Sequence, residues 1–553
     1  MVKKGFKVNK ISLILMLLLS LAGLFHEFVS CAAAALLCFY LLYLYCKNGF
    51  KLYLNPISVS ITAITAFYLV SSLWAVDGGA ALTGFFKILP LPLFLIALMQ
   101  EECDYSTVLK PVPYFAAAMT VASALLMQFN LLKDYFSVAG RLSGFFQYSN
   151  TFALFLLVSI VILAEKESFK PWDLITVAVL LFGIIYSGSR TVFALTVVTV
   201  LALIIMVKNK KVKLSLLLIS ALLVAAAAAF ALVTDNFSAI GRFLTTSFTR
   251  STFVGRLLYF YDALPVILKH PFGLGYMGYY YTQQAFQTGL YSVKYIHNDF
   301  LQLLLDIGWL PTGAFVYALV RSVFKKGISS YKRLALLIIC AHSCFDFDLQ
   351  FTAVFMLLLC FTDYSSGRSY ELKGAKAAVT VSAVLTAALS VYMCTALALY
   401  HYNMPSASLK LYPLNTQAKI TLLQAEKDLP KAQALADDII KHNKYCSAAY
   451  GKKAVAAYSE GDFKKVMEYG DKALDLAPFS YTTYENYCYM LINGAMLYQK
   501  AGDRYSADVC TQKLAEVAER LDKSTERLSY FGKRIKDRPQ TELPEEILKY
   551  LNK

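Results

Sequence analysis

Charged residues are scarce in this chain of 553 residues. Asp, Glu, Lys and Arg make up 16% of it, whereas hydrophobic residues make up 58%. Soluble domains usually carry about 25% charged residues. The shortage is confined to residues 1–399, which hold 30 Lys/Arg and 17 Asp/Glu, because residues 400–553 hold a further 23 and 20. We therefore predict an N-terminal membrane part and a C-terminal soluble domain.

The motifs of several functional classes are also missing. The sequence has no Gly-x-x-x-x-Gly-Lys phosphate loop, no His-Glu-x-x-His zinc motif and no Cys-x-x-Cys pair. These absences weigh against nucleotide-driven transporters and zinc enzymes, and we expect neither a metal nor a cofactor. The net charge of +16 comes from short basic blocks between apolar runs. This pattern is typical of cytoplasmic membrane loops, so nucleic acid is not an expected partner.

Apolar runs long enough to cross a bilayer recur up to residue 399. A hydrocarbon core about 30 Å thick needs roughly 20 helical residues. The sequence predicts an all-α polytopic protein with about 12–13 spans, near residues 11–29, 31–46, 56–73, 82–99, 112–129, 149–164, 172–188, 190–207, 213–233, 299–320, 332–347, 350–363 and 376–399. The first run follows four lysines and precedes no clear cleavage site, so we expect an uncleaved span with a cytoplasmic N-terminus.

Basic loops set the expected orientation. The loops at 47–51, 208–213, 321–333 and 368–376 are all basic and fall on one side, which the positive-inside rule assigns to the cytoplasm. We therefore expect four parts: a transmembrane bundle (1–233), a large extracytoplasmic loop (234–297), further transmembrane helices (298–399) and an extracytoplasmic helical domain (400–553). The surrounding lipids are those of the cytoplasmic, or inner, membrane.

The C-terminal domain contains a repeat signal. Ala473, Leu474 and Pro478 follow Gly461-Asp462-Phe463 at the spacing of a tetratricopeptide unit. Gly502-Asp503 repeats the turn 41 residues later, which is longer than the usual spacing of about 34. The alternative is a generic helical bundle. Under either interpretation we expect a docking role toward an acceptor or an envelope protein.

Polar residues gather at the predicted outer ends of the spans. They fall in five stretches: 141–150, 187–190, 255–262, 270–276 and 297–302. In their order and spacing these stretches resemble the O-antigen ligase and polymerase family of bacterial envelope enzymes, over roughly residues 130–350. The resemblance implies metal-independent transfer of glycan from an undecaprenyl-diphosphate carrier to an acceptor hydroxyl. The acceptor, whether a glycan, a lipid or a protein, stays open, and so does the choice between ligase and polymerase.

The family role gives the polar residues candidate functions. Arginine binds phosphate oxygens bidentately and stays charged in a low dielectric, so Arg141, Arg190 and Arg256 are candidates to bind the diphosphate. Each can instead be an interfacial anchor. His297, in a His-Asn pair like that of the family, is the candidate general base, and the alternative is a helix-capping histidine. Asn298 either orients it or caps the helix that follows.

Other polar and aromatic residues have two interpretations each. Tyr276, Tyr279 and Tyr280 either stack on sugar rings or belong to an interfacial aromatic belt. His342 and Asp346, four residues apart on a predicted helix, are expected to form a polar pair. The alternative function is a flippase for the same lipid-linked glycan. We disfavour it because the middles of the spans hold few charges and no internal duplication is visible.

Overall fold

The computed structural model describes residues 9–100, 105–166, 169–207, 251–551 and the positions 209, 210, 212–215, 217, 218, 220, 221 and 225. These residues form helices joined by short connections, with two small two-stranded sheets. The predicted all-α polytopic fold is confirmed. Most of the predicted span near 213–233 and residues 234–250 of the predicted outer loop lie outside the described residues.

Within the residues that the structure describes, ten apolar helical segments form the membrane frame. Five are long and apolar enough to cross a bilayer: Glu27–Asn48, Pro56–Leu73, Gly78–Gln100, Thr107–Leu126 and Lys376–His401. Five are shorter: Lys10–Ser20, Ser149–Ala164, Pro171–Ser187, Arg190–Met206 and Trp309–Phe324. Further α-helices described in this part are Tyr105–Leu109, Lys133–Phe136, Ser251–Lys269, Gly278–Phe286, Asp299–Ile307, Ser330–Ser343 and Thr352–Cys360. Two of these lie within the predicted outer loop.

Two predicted spans are broken by glycine. The span predicted at 11–29 is helical only over Lys10–Ser20, and the next helix already begins at Glu27. Between the two helices, Ala22, Gly23 and Leu24 all have positive φ, at +49°, +57° and +59°, which interrupts the right-handed helix. A Cβ on Gly23 would lie 2.4 Å from the Phe146 ring. The span predicted at 299–320 is divided at Gly308, where φ is +80°. The continuous helices predicted over 11–29 and 299–320 are therefore wrong.

The frame has two distinct ends. At the basal end, the strand Phe50–Leu54 pairs antiparallel with the strand Arg368–Leu372. The helix Glu27–Asn48 ends there and the helix Lys376–His401 begins there, so the two helices pack antiparallel. At their other ends the rings of His26 and His401 lie 4.7 Å apart. We call this opposite end, which also holds the candidate site, the site end.

The C-terminal domain is built from consecutive helices that pack in antiparallel pairs. They are Pro405–Leu411, Thr416–Ala425, Leu429–His442, Ser447–Ser459, Phe463–Leu476, Tyr481–Ala501, Arg504–Asp522 and Glu545–Leu551. The helices from Ser447–Ser459 onward share a core that includes Val466, Leu474, Tyr487, Leu491 and Leu514, all nearly inaccessible to solvent. The sequence predicted that this domain is helical, as the structure has it. The assignment of its helices to tetratricopeptide units stays a prediction.

The C-terminal domain is attached to the site end of the frame. The Tyr412 hydroxyl donates to the Gly79 carbonyl at 2.7 Å, and the Asn443 amide donates to the Asp77 carboxylate at 3.2 Å. A Cβ on Gly79 would lie 2.1 Å from the carbonyl oxygen of Leu414, so only glycine allows this close approach. The domain therefore lies on the same side of the frame as the residues described next.

Candidate active site

One buried carboxylate connects most of the polar residues at the site end. Asp346 lies in the connection between the helices Ser330–Ser343 and Thr352–Cys360, with no exposed side-chain surface. Its Oδ1 accepts a hydrogen bond from the Tyr148 hydroxyl at 2.9 Å and lies 3.0 Å from Nδ1 of His297. Its Oδ2 accepts from the Asn150 amide at 2.7 Å and from Nη2 of Arg256 at 3.4 Å. The Phe347 amide also donates to Oδ1 at 3.0 Å, so Oδ1 has three partners and Oδ2 has two.

These partners keep Asp346 ionised. Burial opposes ionisation, but the hydrogen bond with His297 and the charge of Arg256 together hold the pKa of Asp346 well below its usual range. A carboxylate that is ionised next to Nδ1 of an imidazole favours a proton on that nitrogen. The arrangement therefore favours the His297 tautomer in which Nε2 carries no proton and can accept one.

His297 is fixed by its backbone as well as by Asp346. It has φ +54°, a left-handed conformation that costs a non-glycine residue about 1–3 kcal/mol and is concentrated at functional sites. The next residue, Asn298, caps the helix Asp299–Ile307, because its Oδ1 accepts from the Leu301 amide at 3.0 Å. Its Nδ2 donates to the Cys344 carbonyl at 3.0 Å. Asn298 thus caps the helix and also ties His297 to the loop that carries Asp346.

Two of the three candidate arginines belong to the same network. Arg141 donates from Nε to the Ser187 carbonyl at 2.6 Å and from Nη2 to the Asn150 side chain at 2.7 Å. Asn150 therefore links Arg141 to Asp346, and Arg256 contacts Asp346 directly. Guanidinium groups reach this carboxylate region from two separate elements of the frame.

Arg190 lies beside that network. It is the first residue of the helix Arg190–Met206, after a left-handed Gly188 with φ +60°. A Cβ on Gly188 would lie 3.3 Å from Nε of Arg141, so the turn carrying Arg190 packs against the Arg141 side chain. Arg190 is partly exposed. The structure thus links His297, Arg256 and Arg141 through Asp346 and Asn150. Asn298 contacts the loop that carries Asp346, and Arg190 lies two residues after Gly188, which packs against Arg141.

The candidate glycan-binding tyrosines occupy different environments. Tyr276 is buried, and its hydroxyl donates to Glu27 at 2.6 Å. Tyr279 is also buried, and its hydroxyl lies 3.0 Å from that of Tyr291. Stacking of either ring on a sugar would require a rearrangement of the interior. Tyr280 is partly exposed.

A second polar cluster, not predicted from the sequence, lies beside the site. Lys87 is fully buried, and its Nζ donates to the Tyr295 hydroxyl at 2.9 Å. Phe347, which follows Asp346, packs its ring against both Tyr295 at 5.5 Å and His297 at 4.9 Å. A lysine within the predicted apolar span 82–99 was the available signal, because ionisable residues inside spans are usually functional or paired.

The predicted pair of His342 and Asp346 is wrong. His342 lies 2.5 Å from Asp348 instead, and the Thr151 hydroxyl donates to Asp348 at 2.7 Å. The helix ends at Ser343, so the four-residue spacing that would place Asp346 above His342 no longer applies. Asp346 instead contacts His297, and the sequence did not predict this contact.

No group of three or more His, Cys, Asp and Glu residues is placed to hold a metal ion in the part of the chain that the structure describes. The polar side chains around Asp346 are the His297 imidazole, the Asn150 and Asn298 amides, the Tyr148 phenol and the guanidinium groups of Arg141 and Arg256. Such a set can hold an anion and transfer a proton.

Comparison with known families gives one match. Residues 175–316 match the family model Wzy_C, described as O-antigen ligase. The matched segment includes Arg190, Arg256, His297 and Asn298, whereas Arg141 and Asp346 lie on either side of it. The predicted resemblance to this family is confirmed. Comparison with curated proteins gave no match.

Proposed function

We propose, from the O-antigen ligase domain at residues 175–316, that this protein is a membrane glycosyltransferase that uses a lipid-linked glycan. The donor is a glycan on undecaprenyl diphosphate, and the acceptor is a hydroxyl group on a second molecule. The reaction draws its driving force from the diphosphate leaving group and uses neither a nucleotide sugar nor a metal. The observation that carries this proposal is the contact of His297 and Arg256 with the same buried carboxylate.

His297 acts as the general base. With a proton on Nδ1 held by Asp346, Nε2 takes the proton of the acceptor hydroxyl. The hydroxyl oxygen attacks the anomeric carbon as the bond from that carbon to the diphosphate oxygen breaks, with inversion at the carbon. The imidazolium formed is stabilised by the ionised Asp346, in the way that a carboxylate supports histidine in other enzymes.

Arginines hold the leaving group. A lipid diphosphate gains negative charge as the bond breaks, and guanidinium groups bind such oxygens bidentately. Arg256, Arg141 and Arg190 supply this charge in the proposal. In the free protein, Arg256 and Arg141 instead contact Asp346 and Asn150. A partly buried cation without a nearby anion would be costly, so these contacts keep the arginines in place before the donor binds.

We infer from the basic residues of the basal end that the reaction takes place outside the cytoplasm. Basic residues predominate at the basal end, which the positive-inside rule assigns to the cytoplasm. They are Lys47, Lys51, Lys166, Lys170, Lys325, Lys326, Arg368, Lys373 and Lys376. The site end then meets the outer leaflet, where the head of a translocated carrier lipid lies. The C-terminal domain, on the same side, recruits the acceptor or an envelope partner.

Replacement of the general base tests the assignment. We expect His297→Ala to reduce transfer from purified carrier-linked glycan to background, with the full-length protein reconstituted in liposomes. His270→Ala is the matched control, because His270 is exposed and precedes Pro271 away from Asp346. Transfer should persist in this control. Wild-type transfer rates in the His297→Ala protein would exclude His297 as the base.

Product size separates the two reaction types. A polymerase extends a glycan chain, so its loss leaves single repeat units on the carrier. A ligase passes a finished chain to another acceptor, so its loss leaves long chains on the carrier. Gel separation of carrier-linked glycans from cells with and without the gene distinguishes the two outcomes.

Two structural features favour the second candidate, a transporter for the lipid-linked glycan. The broken helix at Gly308 and the buried Lys87 and Asp306 are features that transporters place along substrate paths. A transporter would move labelled carrier-linked glycan across liposomes without any acceptor, and His297→Ala would leave that movement unchanged. Transfer to an acceptor without such movement would exclude this candidate.

A further inference from the structure

Two faces of the helix that carries Arg256 contact other parts of the protein. On one face of Ser251–Lys269, Arg256 contacts Asp346, and the ring of Tyr259 lies 6.3 Å from that of His297. Val254 and Leu258, four residues apart and both buried, lie on another face. They form an apolar cluster with Ile535, which belongs to the C-terminal domain. The far end of the chain thus supports the helix beside the candidate site.

Residues 528–535, which we call the strap, make several contacts at this place. The Ser529 amide donates to the Thr288 carbonyl at 3.0 Å. The ring of Phe531 packs edge-on against Tyr261 at 5.8 Å. Gly532 lies so close to Thr288 that a Cβ on Gly532 would be 2.0 Å from the Thr288 carbonyl oxygen. A contact of this kind fixes the distance between the two segments, because backbone oxygen cannot move aside as a flexible side chain can.

Thr288 connects the strap to the helix. Its amide and hydroxyl both donate to the carboxylate of Asp262, at 2.9 and 2.6 Å, and its carbonyl accepts from Ser529. Asp262 is buried and lies on the same helix as Arg256. A displacement of the strap would therefore move Thr288, Asp262 and the helix together.

We propose that the strap is a positioning element that sets the place of Arg256 at the diphosphate site. The C-terminal domain is then part of the transfer machinery as well as a docking module. This proposal rests on the proposed function, in which Arg256 holds the diphosphate. Its physical basis is the steep cost of misplacement, since a shift of about 1 Å from a distant change can cost roughly 100-fold in rate.

Two pairs of variants in the full-length protein test the proposal. Gly532→Ala inserts a methyl group against the Thr288 oxygen, whereas Gly451→Ala adds one where nothing lies within 4 Å. Phe531→Ala removes the ring that contacts Tyr261, whereas Tyr505→Ala removes an exposed ring of the same domain outside the strap. Because the second pair creates no clash, it decides the question if Gly532→Ala does not fold.

The readout is affinity for farnesyl diphosphate in detergent. We expect Gly532→Ala and Phe531→Ala to raise its Kd by about threefold to tenfold, which corresponds to roughly 0.6–1.4 kcal/mol. Gly451→Ala and Tyr505→Ala should bind as the wild type does. Thermal unfolding monitored for each variant confirms that the folded proteins are being compared.

A double-mutant cycle separates positioning from a general structural effect. Because the strap acts through Arg256, Gly532→Ala and Phe531→Ala should have no further effect on Kd in an Arg256→Ala background. Full, additive losses in that background overturn the proposal, as does wild-type affinity in both folded strap variants. A wild-type protein that does not bind the probe overturns the diphosphate site itself, and the strap proposal with it.

Discussion

Asp346 has two tasks that no other described residue shares, because it orients His297 and balances the charge of Arg256. Its pKa lies below the usual range because His297 and Arg256 outweigh the effect of burial, so it stays ionised at neutral pH. A group whose folded-state pKa is lowered stabilises the protein above its unfolded pKa, near 3.9 for aspartate, and that stability is lost only as the pH falls further. The network should therefore persist throughout the neutral range.

Asp346→Asn tests both tasks with little change in size. The amide cannot provide the negative charge that favours the Nδ1 proton and supports the imidazolium, so we expect the transfer rate to fall by about 100-fold to 10,000-fold. The measurement is single-turnover transfer in liposomes at saturating donor. Asp348→Asn is the matched control, since that buried carboxylate two residues away pairs with His342 instead. Equal rates in the two variants would contradict the assigned role of Asp346.

The sequence drew attention to individual groups but not to their pairing. His297 was selected from the resemblance of its His-Asn pair to that of the family, and Arg141 and Arg256 from residue type and position at the ends of spans. Asp346 was assigned to His342, although its partner His297 lies 49 residues away in the chain. Helical periodicity relates residues three or four apart, so it cannot report contacts made across a loop. The contact of the Tyr148 hydroxyl with this carboxylate was missed for the same reason.

At the scale of elements, the stretch 270–276 supports the end of the helix Asp299–Ile307, which begins two residues after His297. Gly308 interrupts that helix, and the chain near Pro271 satisfies the backbone groups that are set free. The Leu274 amide donates to the Leu305 carbonyl at 2.6 Å, and the Trp309 amide donates to the Pro271 carbonyl at 2.9 Å. Unpaired backbone groups inside a membrane cost several kcal/mol each, so a broken helix requires such partners.

Gly273→Ala should damage this support. Gly273 has φ +78°, and a Cβ would lie 2.6 Å from the carbonyl of Asp306. We expect a loss of at least about 1–2 kcal/mol of folding free energy from the left-handed conformation alone, together with reduced transfer. Gly313→Ala is the control, because it lies in the helix Trp309–Phe324 with nothing within 4 Å of its Cβ. It should be neutral or stabilising by up to about 1 kcal/mol in thermal unfolding. Equal unfolding of both variants would show that the interruption needs no glycine at 273.

The positions of most helices followed from hydropathy, but their interruptions did not. The predicted span 149–164 coincides with the helix Ser149–Ala164, and 56–73 coincides with Pro56–Leu73. A window of about 20 residues averages over a single glycine, so it extends through the breaks at Gly23 and Gly308. Those breaks depend on packing partners, such as Phe146 and Phe272, that lie far away in the sequence.

At the scale of the whole molecule, one end carries most of the basic loops and the other carries both the site and the C-terminal domain. The structure relates the domain to the site directly, through Asn443, Tyr412 and the strap. The site and the C-terminal domain must therefore lie on the same side of the membrane, which we propose is the outer side. A diphosphate site in the cytoplasm would require the basic loops to face outward, which the positive-inside rule opposes.

Labelling of single cysteines tests this sidedness in intact cells. In a variant whose native cysteines are replaced, Tyr505→Cys lies on the exposed surface of the C-terminal domain, and Lys326→Cys lies at the basal end. We expect a membrane-impermeant maleimide to label position 505 in intact cells, or in spheroplasts where an outer membrane blocks access. Position 326 should be labelled only after the membrane is permeabilised, because its loop faces the cytoplasm. The reverse pattern would place His297 in the cytoplasm and contradict a reaction on translocated carrier lipid, whereas labelling of both positions from one side would contradict the frame as described.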